Sequence, residues 1–114
     1  MSIVQALPPL DGSHVTVSVV EVHYAPSEAS DPHRHPCPVI GYVVAGAIRS
    51  RAAGGQESVH HAGDTFYEAP NGVHFVSANA SATDPATLLA IFVCDRDGPL
   101  SVDVPQVRVP GTTR

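Results

Sequence analysis

The sequence predicts an all-β fold, either a sandwich or a barrel of short strands, and three observations support this prediction. Eleven prolines and nine glycines interrupt the chain at short intervals. No long window repeats apolar residues at the 3.6-residue spacing of a helix. β-Branched and other apolar residues instead alternate with polar ones over short stretches, which is typical of strands joined by turns.

The turn signals divide the chain into successive predicted strands. These strands are 15–24, 40–51, 56–61, 65–68, 74–78 and 87–94. Gly46 is expected to bend the second strand, and residues 52–55 are expected to form a hairpin loop. The prolines from Asp95 onward favour an edge strand that lies along the barrel or along a partner subunit. Without a linker or an internal repeat, residues 1–114 are interpreted as one domain.

Composition and charge exclude several classes of function. Apolar residues make up 43% of the chain, the net charge is −5, and the six basic residues are scattered arginines. Without a basic stripe, nucleic acid and anionic membranes are not expected as partners. The apolar stretch 88–94 is far shorter than the roughly 20 residues of a membrane-spanning helix, and prolines interrupt the opening residues. We therefore expect a soluble cytoplasmic protein, and two cysteines are too few for a disulfide scaffold.

Three histidines are candidate metal ligands. His33 and His35 lie two residues apart in the segment DPHRHP, whose prolines favour extended backbone, so both side chains point to one face. His74 begins a strand directly after a tight turn and is placed to be the third ligand. Neutral imidazoles are common ligands of zinc, iron, copper and nickel. The alternative is a solvated loop that holds histidines by chance.

The segments around these histidines resemble the two motifs of the cupin superfamily. Residues 33–46, HRHPCPVIGYVVAG, are similar to the first motif, which has two histidines around one residue, a glutamate four residues later and a strand ending in glycine. Residues 63–74, GDTFYEAPNGVH, are similar to the second motif, with its glycine, turn and final histidine. The resemblance implies a double-stranded β-helix, the jelly-roll barrel of a small RmlC-like cupin. It also implies a divalent metal ion (Fe, Mn, Ni, Cu or Zn) on His33, His35 and His74.

The chain departs from the cupin motifs at three positions. Ala69 replaces a proline, but Pro70 still stiffens the turn, and Asn71 replaces a glycine while tolerating positive φ. Val39 stands where the family has its glutamate ligand, and a valine cannot bind metal. The resemblance therefore implies a three-histidine site, a site that recruits another group, or a barrel that has lost its metal.

Glu68 is the candidate for the additional group. If residues 69–73 form the turn, Glu68 and His74 face each other across one hairpin. A carboxylate pointing into a barrel is costly unless it meets a metal or a hydrogen-bond donor. Three-histidine cupin dioxygenases that cleave β-diketones are similar here, and this similarity implies an acid–base role for Glu68. In a different register, Glu68 faces solvent.

Other polar residues near the motifs are interpreted as structural. Cys37 is expected to be a packed, inert cysteine, and Tyr42 and Tyr67 are expected to be packing aromatics at least as much as pocket residues. The remaining histidines are expected at the surface or an interface: His14, His23, His60 and His61. The apolar pocket at the barrel mouth is expected to be lined by Val43, Phe66, Phe75, Val76, Leu89 and Phe92.

Two functions remain open. The first is a mononuclear metal enzyme, either a dioxygenase or a related oxidoreductase or lyase, in which Glu68 transfers a proton during the reaction of a small molecule. The second is a non-catalytic sensor or binding module that holds a metal or a ligand in the same pocket. Because the first and last segments are predicted edge strands, a homodimer is expected.

Overall fold

The computed structural model describes residues 3–12 and 14–104, and in these ranges the chain forms nine strands and no helix. The strands are β1 (Thr16–Tyr24), β2 (His33–Arg34), β3 (Val39–Ala45), β4 (Ala47–Ala52), β5 (Ser58–His61), β6 (Thr65–Glu68), β7 (His74–Asn79), β8 (Ala86–Cys94) and β9 (Val102–Asp103). The all-β prediction is therefore confirmed. The described residues include no helix long and apolar enough to cross a membrane.

The strands form two antiparallel sheets. The four-stranded sheet has the order β1-β8-β3-β6, and the five-stranded sheet has the order β5-β4-β7-β2-β9. Most neighbours are not consecutive in sequence, as in the jelly roll that the resemblance implies. Both β1 and β9 lie at sheet edges, as expected for the first and last strands. The expectation for the tail beyond β9 falls on residues 105–114, which lie outside the described ranges.

The core lies on one face of β8. Alternate residues of this strand are buried, from Ala86 to Cys94, because side chains along a strand point to opposite faces. One core cluster packs Leu88 against Tyr24, Val43, Ile48 and Ala86. The other packs Phe92 and Ala90 against Cys37, Val39 and Cys94. The second cluster includes Cys37 and Val39, which closely follow the paired histidines in sequence.

Gly46 separates β3 from β4, at the bend that the sequence predicts. Its φ of 76° belongs to the left-handed region that glycine adopts without a Cβ penalty. A Cβ at this position would also lie 2.6 Å from the carbonyl oxygen of Pro85. Any other residue at position 46 would therefore clash with the backbone that leads into β8.

A disulfide joins Cys37 to Cys94, with 5.2 Å between their Cα atoms. The sequence predicts an inert packed cysteine at position 37, and the structure corrects this to a buried disulfide in the second core cluster. Cys37 follows His35 by two residues, and Cys94 ends β8. The bond therefore attaches the histidine-bearing segment to a central strand of the four-stranded sheet.

Candidate metal centre

The three histidines of the motifs lie together in the structure. His33 and His74 are directly opposite each other in the antiparallel pair of β2 and β7. His35 follows β2 by one residue. The ring centres are 4.8 Å apart for His33 and His35, 5.6 Å for His33 and His74, and 5.8 Å for His35 and His74. The fold thus brings the predicted ligands from two distant parts of the chain to one place.

The spacing of these rings is close to that of imidazoles around one ion, although the separation of His35 and His74 is slightly too long. An imidazole bound through nitrogen at about 2.1 Å has its ring centre about 3.2 Å from the metal, so two such rings lie roughly 4.6 to 5.6 Å apart. In the described ranges, however, no group of three His, Cys, Asp or Glu side chains already has its donor atoms arranged to hold an ion. The three rings are therefore clustered, but their donor atoms do not yet enclose a site for an ion.

Backbone carbonyls determine which ring nitrogens are available in His33 and His35. The Nδ1 atom of His33 lies 2.9 Å from the carbonyl oxygen of Asp31, and the Nδ1 atom of His35 lies 2.9 Å from that of Leu100. Because a carbonyl only accepts, each Nδ1 must carry the proton and donate it. In the neutral ring, Nε2 is then unprotonated and free to bind a metal ion.

His74 and Glu68 form a close buried contact. Nε2 of His74 lies 2.5 Å from Oε2 of Glu68, and their side chains are only 8% and 15% exposed. The two atoms are not aligned as a hydrogen bond, and Nε2 has no hydrogen-bond partner among the described residues. A buried nitrogen that meets a carboxylate oxygen without hydrogen-bond alignment indicates a missing water or ion. This nitrogen therefore fits the role of a metal ligand.

The surroundings shift two pKa values in directions that suit metal binding. Burial lowers the pKa of His35, and the hydrogen bond to the Leu100 carbonyl offsets only part of this effect. Burial raises the pKa of Glu68, but the contact with His74 and the charges of the nearby histidines outweigh it, so its pKa lies below the ordinary value. His35 thus favours its neutral form and Glu68 its carboxylate form, and these are the forms that coordinate metals.

Glu68 reaches the histidines by a route that differs from the predicted one. The sequence suggests that Glu68 and His74 face each other across one hairpin, but β6 and β7 belong to different sheets. Glu68 pairs instead with Val39, across β6 and β3. Cross-strand partners share a face, so Glu68 projects from the position opposite the missing family glutamate. Its carboxylate then contacts His74 from the facing sheet.

A cavity of about 400 Å³ opens beside His33, His35 and Glu68. Its apolar walls are Val20, Val22, Leu88, Ala90, Phe92 and Leu100. The predicted apolar lining is therefore mostly wrong, because only Phe92 of that set lines this cavity. Val43 is part of the core, Phe75 is exposed beneath Arg51, and Val76 and Leu89 line neither described cavity.

A second cavity of about 210 Å³ adjoins Glu68 and His74. Its walls include Ser50, Ser58 and Phe66, and the ring of His60 stacks on Phe66 with 4.5 Å between their centres. His60 thus lines the same cavity as Glu68 and His74, with its ring held on Phe66. Glu68 lines both cavities and lies where they approach each other.

The sequence does not point to the residues that orient the histidines. Leu100 lies 65 positions after His35, and it acts through its backbone carbonyl, which every residue carries. Asp103 is the cross-strand partner of His33 in the pair of β2 and β9 and lines the larger cavity. In the sequence, Asp103 is marked only as an acidic residue among the prolines of the tail, which does not indicate that it lies beside His33.

Comparisons with known proteins agree with this fold. The family described as Cupin domain matches residues 20–92. No curated protein is similar enough in sequence to count as a match. Oxalate oxidase is 28% identical, with a TM-score of 0.66, over 77% of this chain and 46% of its own.

Two further solved structures show the same fold at lower identity. The DMSP lyase DddQ of Ruegeria pomeroyi is 17% identical, with a TM-score of 0.67, over 76% of this chain and 42% of its own. A cupin-like protein of Thermotoga maritima is 22% identical, with a TM-score of 0.67, over 81% of this chain and 67% of its own. The chain thus spans less than half the length of oxalate oxidase and of the lyase. Its fold is one that enzymes acting on small molecules use.

Proposed function

The chain belongs to the cupin domain family, and from this premise we propose that it is a metal-dependent enzyme that acts on a small molecule. His33, His35 and His74 hold one divalent ion (Fe, Mn, Ni, Cu or Zn), in a domain that comprises residues 1–114. The observation that supports this proposal most directly is the spacing of the three rings, 4.8 to 5.8 Å between centres, beside a cavity of about 400 Å³. A mononuclear dioxygenase is the reaction class that such a site fits best.

The chain's own groups have distinct roles in this proposal. The Nε2 atoms of His33 and His35 face away from the carbonyls that hold their Nδ1 atoms, so the rings are fixed in the tautomer that binds metal. A bound ion supplies a Lewis acid with open coordination positions for the substrate and dioxygen. Oε2 of Glu68, next to His74, accepts and returns a proton. The apolar wall that includes Phe92 limits the access of water.

Metal content and oxygen uptake test this function together. We expect one ion per chain in protein purified from its own host, and oxygen consumption by the iron, manganese or copper form with a β-diketone, a flavonol or a thiol. Tightly held zinc or nickel without turnover would instead favour the second candidate, a sensor or binding module. A chain that binds none of the five metals would contradict the enzyme and would leave only a module that binds a small ligand without metal.

Replacing Glu68 by glutamine tests its proton-transfer role. The amide has nearly the same shape but cannot take up a proton, so Glu68→Gln is expected to retain metal and fold while turnover falls by about 100-fold or more. Metal analysis and steady-state kinetics measure the two quantities. Glu57→Gln is the matched control, because Glu57 is half-exposed and pairs with Arg49 away from the site. Loss of metal from Glu68→Gln would make Glu68 a ligand, and unchanged turnover would remove it from the mechanism.

We also propose that the protein is a homodimer that pairs through the outer face of the four-stranded sheet. Val17 and Val19 of β1 are 64% and 61% exposed, and their cross-strand partners on this face are Val93 and Ile91. Ile91 pairs in turn with Ile40. Four strands of this length present roughly 600 Å², near the lower end of what each partner of a stable dimer buries. A second copy would cover this apolar face by two-fold symmetry.

Light scattering tests the dimer. We expect a mass of about twice the 11.9 kDa of one chain. Val19→Arg should give the monomer, because a charge within the apolar interface is left unpaired. Val59→Arg is the control, because Val59 is 46% exposed in the other sheet. A monomeric wild-type protein, or an unchanged mass for Val19→Arg, would contradict this interface.

The cytoplasmic location expected from the sequence has one structural observation against it. The bond between Cys37 and Cys94 weighs against it, because reducing compartments keep thiols reduced and disulfides there are rare. In the cytoplasm the two cysteines would therefore be thiols packed in the core.

A further inference from the structure

The larger cavity carries negative charge and no fixed positive charge. Three carboxylates line it, from Asp31, Glu68 and Asp103. No arginine in the described ranges lines it, and the chain contains no lysine. Even with a divalent ion on the histidines, the three carboxylates would leave the site with a net negative charge.

Two of these carboxylates lie close to His33 and line the cavity with it. Asp103 is the cross-strand partner of His33, so the two side chains share a face with their Cβ atoms about 5 Å apart. Asp31 precedes His33 by two residues, and its carbonyl oxygen holds the Nδ1 atom of that ring at 2.9 Å. Both aspartates are exposed, whereas Glu68 lies deeper. The two aspartates are therefore open to solvent on the same side of the cavity lining as His33.

The arginines of the described ranges all contact other groups. These contacts are Arg34 with Asn71 at 2.8 Å, Arg49 with Glu57 at 2.9 Å, Arg51 over the ring of Phe75 at 5.3 Å, and Arg96 with Asp95 at 3.2 Å. None of these partners lines the cavity. A carboxylate on a substrate would thus meet three like charges and no guanidinium in the described part of the chain.

Aromatic rings complete a lining that suits a cation. Phe92 packs edge-on against His35 with 5.2 Å between ring centres, and Tyr24 lines the same cavity. The faces of aromatic rings attract organic cations, and the attraction grows where water is excluded. The carboxylates and the aromatic rings of the lining therefore favour the same class of ligand.

From this arrangement, and resting on the function proposed above, we infer that the substrate is a small organic cation, whose charge lies near Asp31 and Asp103 while its apolar part packs against Phe92. This assignment separates the chain from enzymes of the same fold that act on anions such as oxalate. The volume of about 400 Å³ limits the substrate to a small molecule.

Three probes of matched shape test the inference by calorimetric titration of the full chain. They are choline, its neutral isostere 3,3-dimethylbutan-1-ol, and the anion 3,3-dimethylbutanoate. We expect choline to bind about tenfold more tightly than the neutral probe, with and without zinc, and the anion to bind most weakly. Higher salt should reduce the difference in affinity between choline and the neutral probe, because salt screens the charges of the exposed aspartates.

Variants that remove carboxylate charges show which residues cause the preference for choline. Asp31→Asn combined with Asp103→Asn should abolish the preference for choline over its neutral isostere while binding of the isostere persists. Asp84→Asn combined with Asp97→Asn is the control, because these exposed aspartates line neither described cavity. Equal binding of choline and its isostere, tighter binding of the anion, or no binding of choline at millimolar concentration would each overturn the inference. Because these titrations are also run without metal, they are independent of the metal analysis that tests the function itself.

Discussion

Alanine at any one of His33, His35 and His74 is expected to lower metal affinity by at least about 100-fold. Loss of a residue that only hydrogen-bonds a metal ligand already lowers metal affinity by about 10- to 100-fold. Removing a ligand itself should lower the affinity further. Equilibrium titration with zinc or nickel, followed by elemental analysis after dialysis, measures the change. The expectation rests on the ring spacing and on the Nδ1 hydrogen bonds that leave two Nε2 atoms free.

His60→Ala and His61→Ala are the matched controls for this experiment. His60 stacks on Phe66, and the side chain of His61 is 73% exposed beside Asp64. Both variants should keep the affinity of the unmodified chain. Equal metal content in all five variants would refute the three-histidine assignment. Urea unfolding of each variant separates loss of a ligand from loss of the fold.

Removal of the disulfide is expected to lower the free energy of unfolding by about 4 kcal/mol. Cys37 and Cys94 are 57 residues apart in sequence, and a cross-link over a loop of that length restricts the unfolded chain by roughly this amount. Urea unfolding of the oxidised chain and of the double variant Cys37→Ala, Cys94→Ala gives the difference. The bond lies in the core, so lost packing adds to the effect.

A reductant provides the control for the disulfide. It should destabilise the unmodified chain and leave the double variant unchanged, because that variant has no bond to reduce. A difference below about 1 kcal/mol between oxidised chain and double variant would contradict the expectation, since the cross-link would then restrict the unfolded chain very little.

Local sequence patterns predict most of the strands well. The predicted strand 65–68 coincides with β6, and Gly46 separates β3 from β4 as expected. These features depend on alternation and on backbone freedom at glycine, which are properties of neighbouring residues. The short strands β2 and β9 were not predicted, because two residues are too few to show an alternating pattern.

Features that depend on distant pairing are predicted less well. Glu68 is correctly placed near His74, but through a hairpin that does not exist, because no local pattern tells which sheet β6 joins. The predicted lining of the cavity is mostly wrong for the same reason, since Val20 and Leu100 come from opposite ends of the described chain. The disulfide requires that Cys37 and Cys94 be neighbours in space, and sequence alone does not give that distance.

The disulfide also gives the chain the covalent form of a ring with two tails. Residues 37–94 form the ring, which carries Glu68 and His74, and the tails leave it from Cα atoms only 5.2 Å apart. One tail supplies His33 and His35, and the other returns Leu100 to hold the ring of His35. The candidate metal site thus lies next to the disulfide, where the two tails leave the covalent ring. A cut in the exposed loop 53–57 would leave every one of these groups within a single covalent molecule, because the disulfide joins the two pieces.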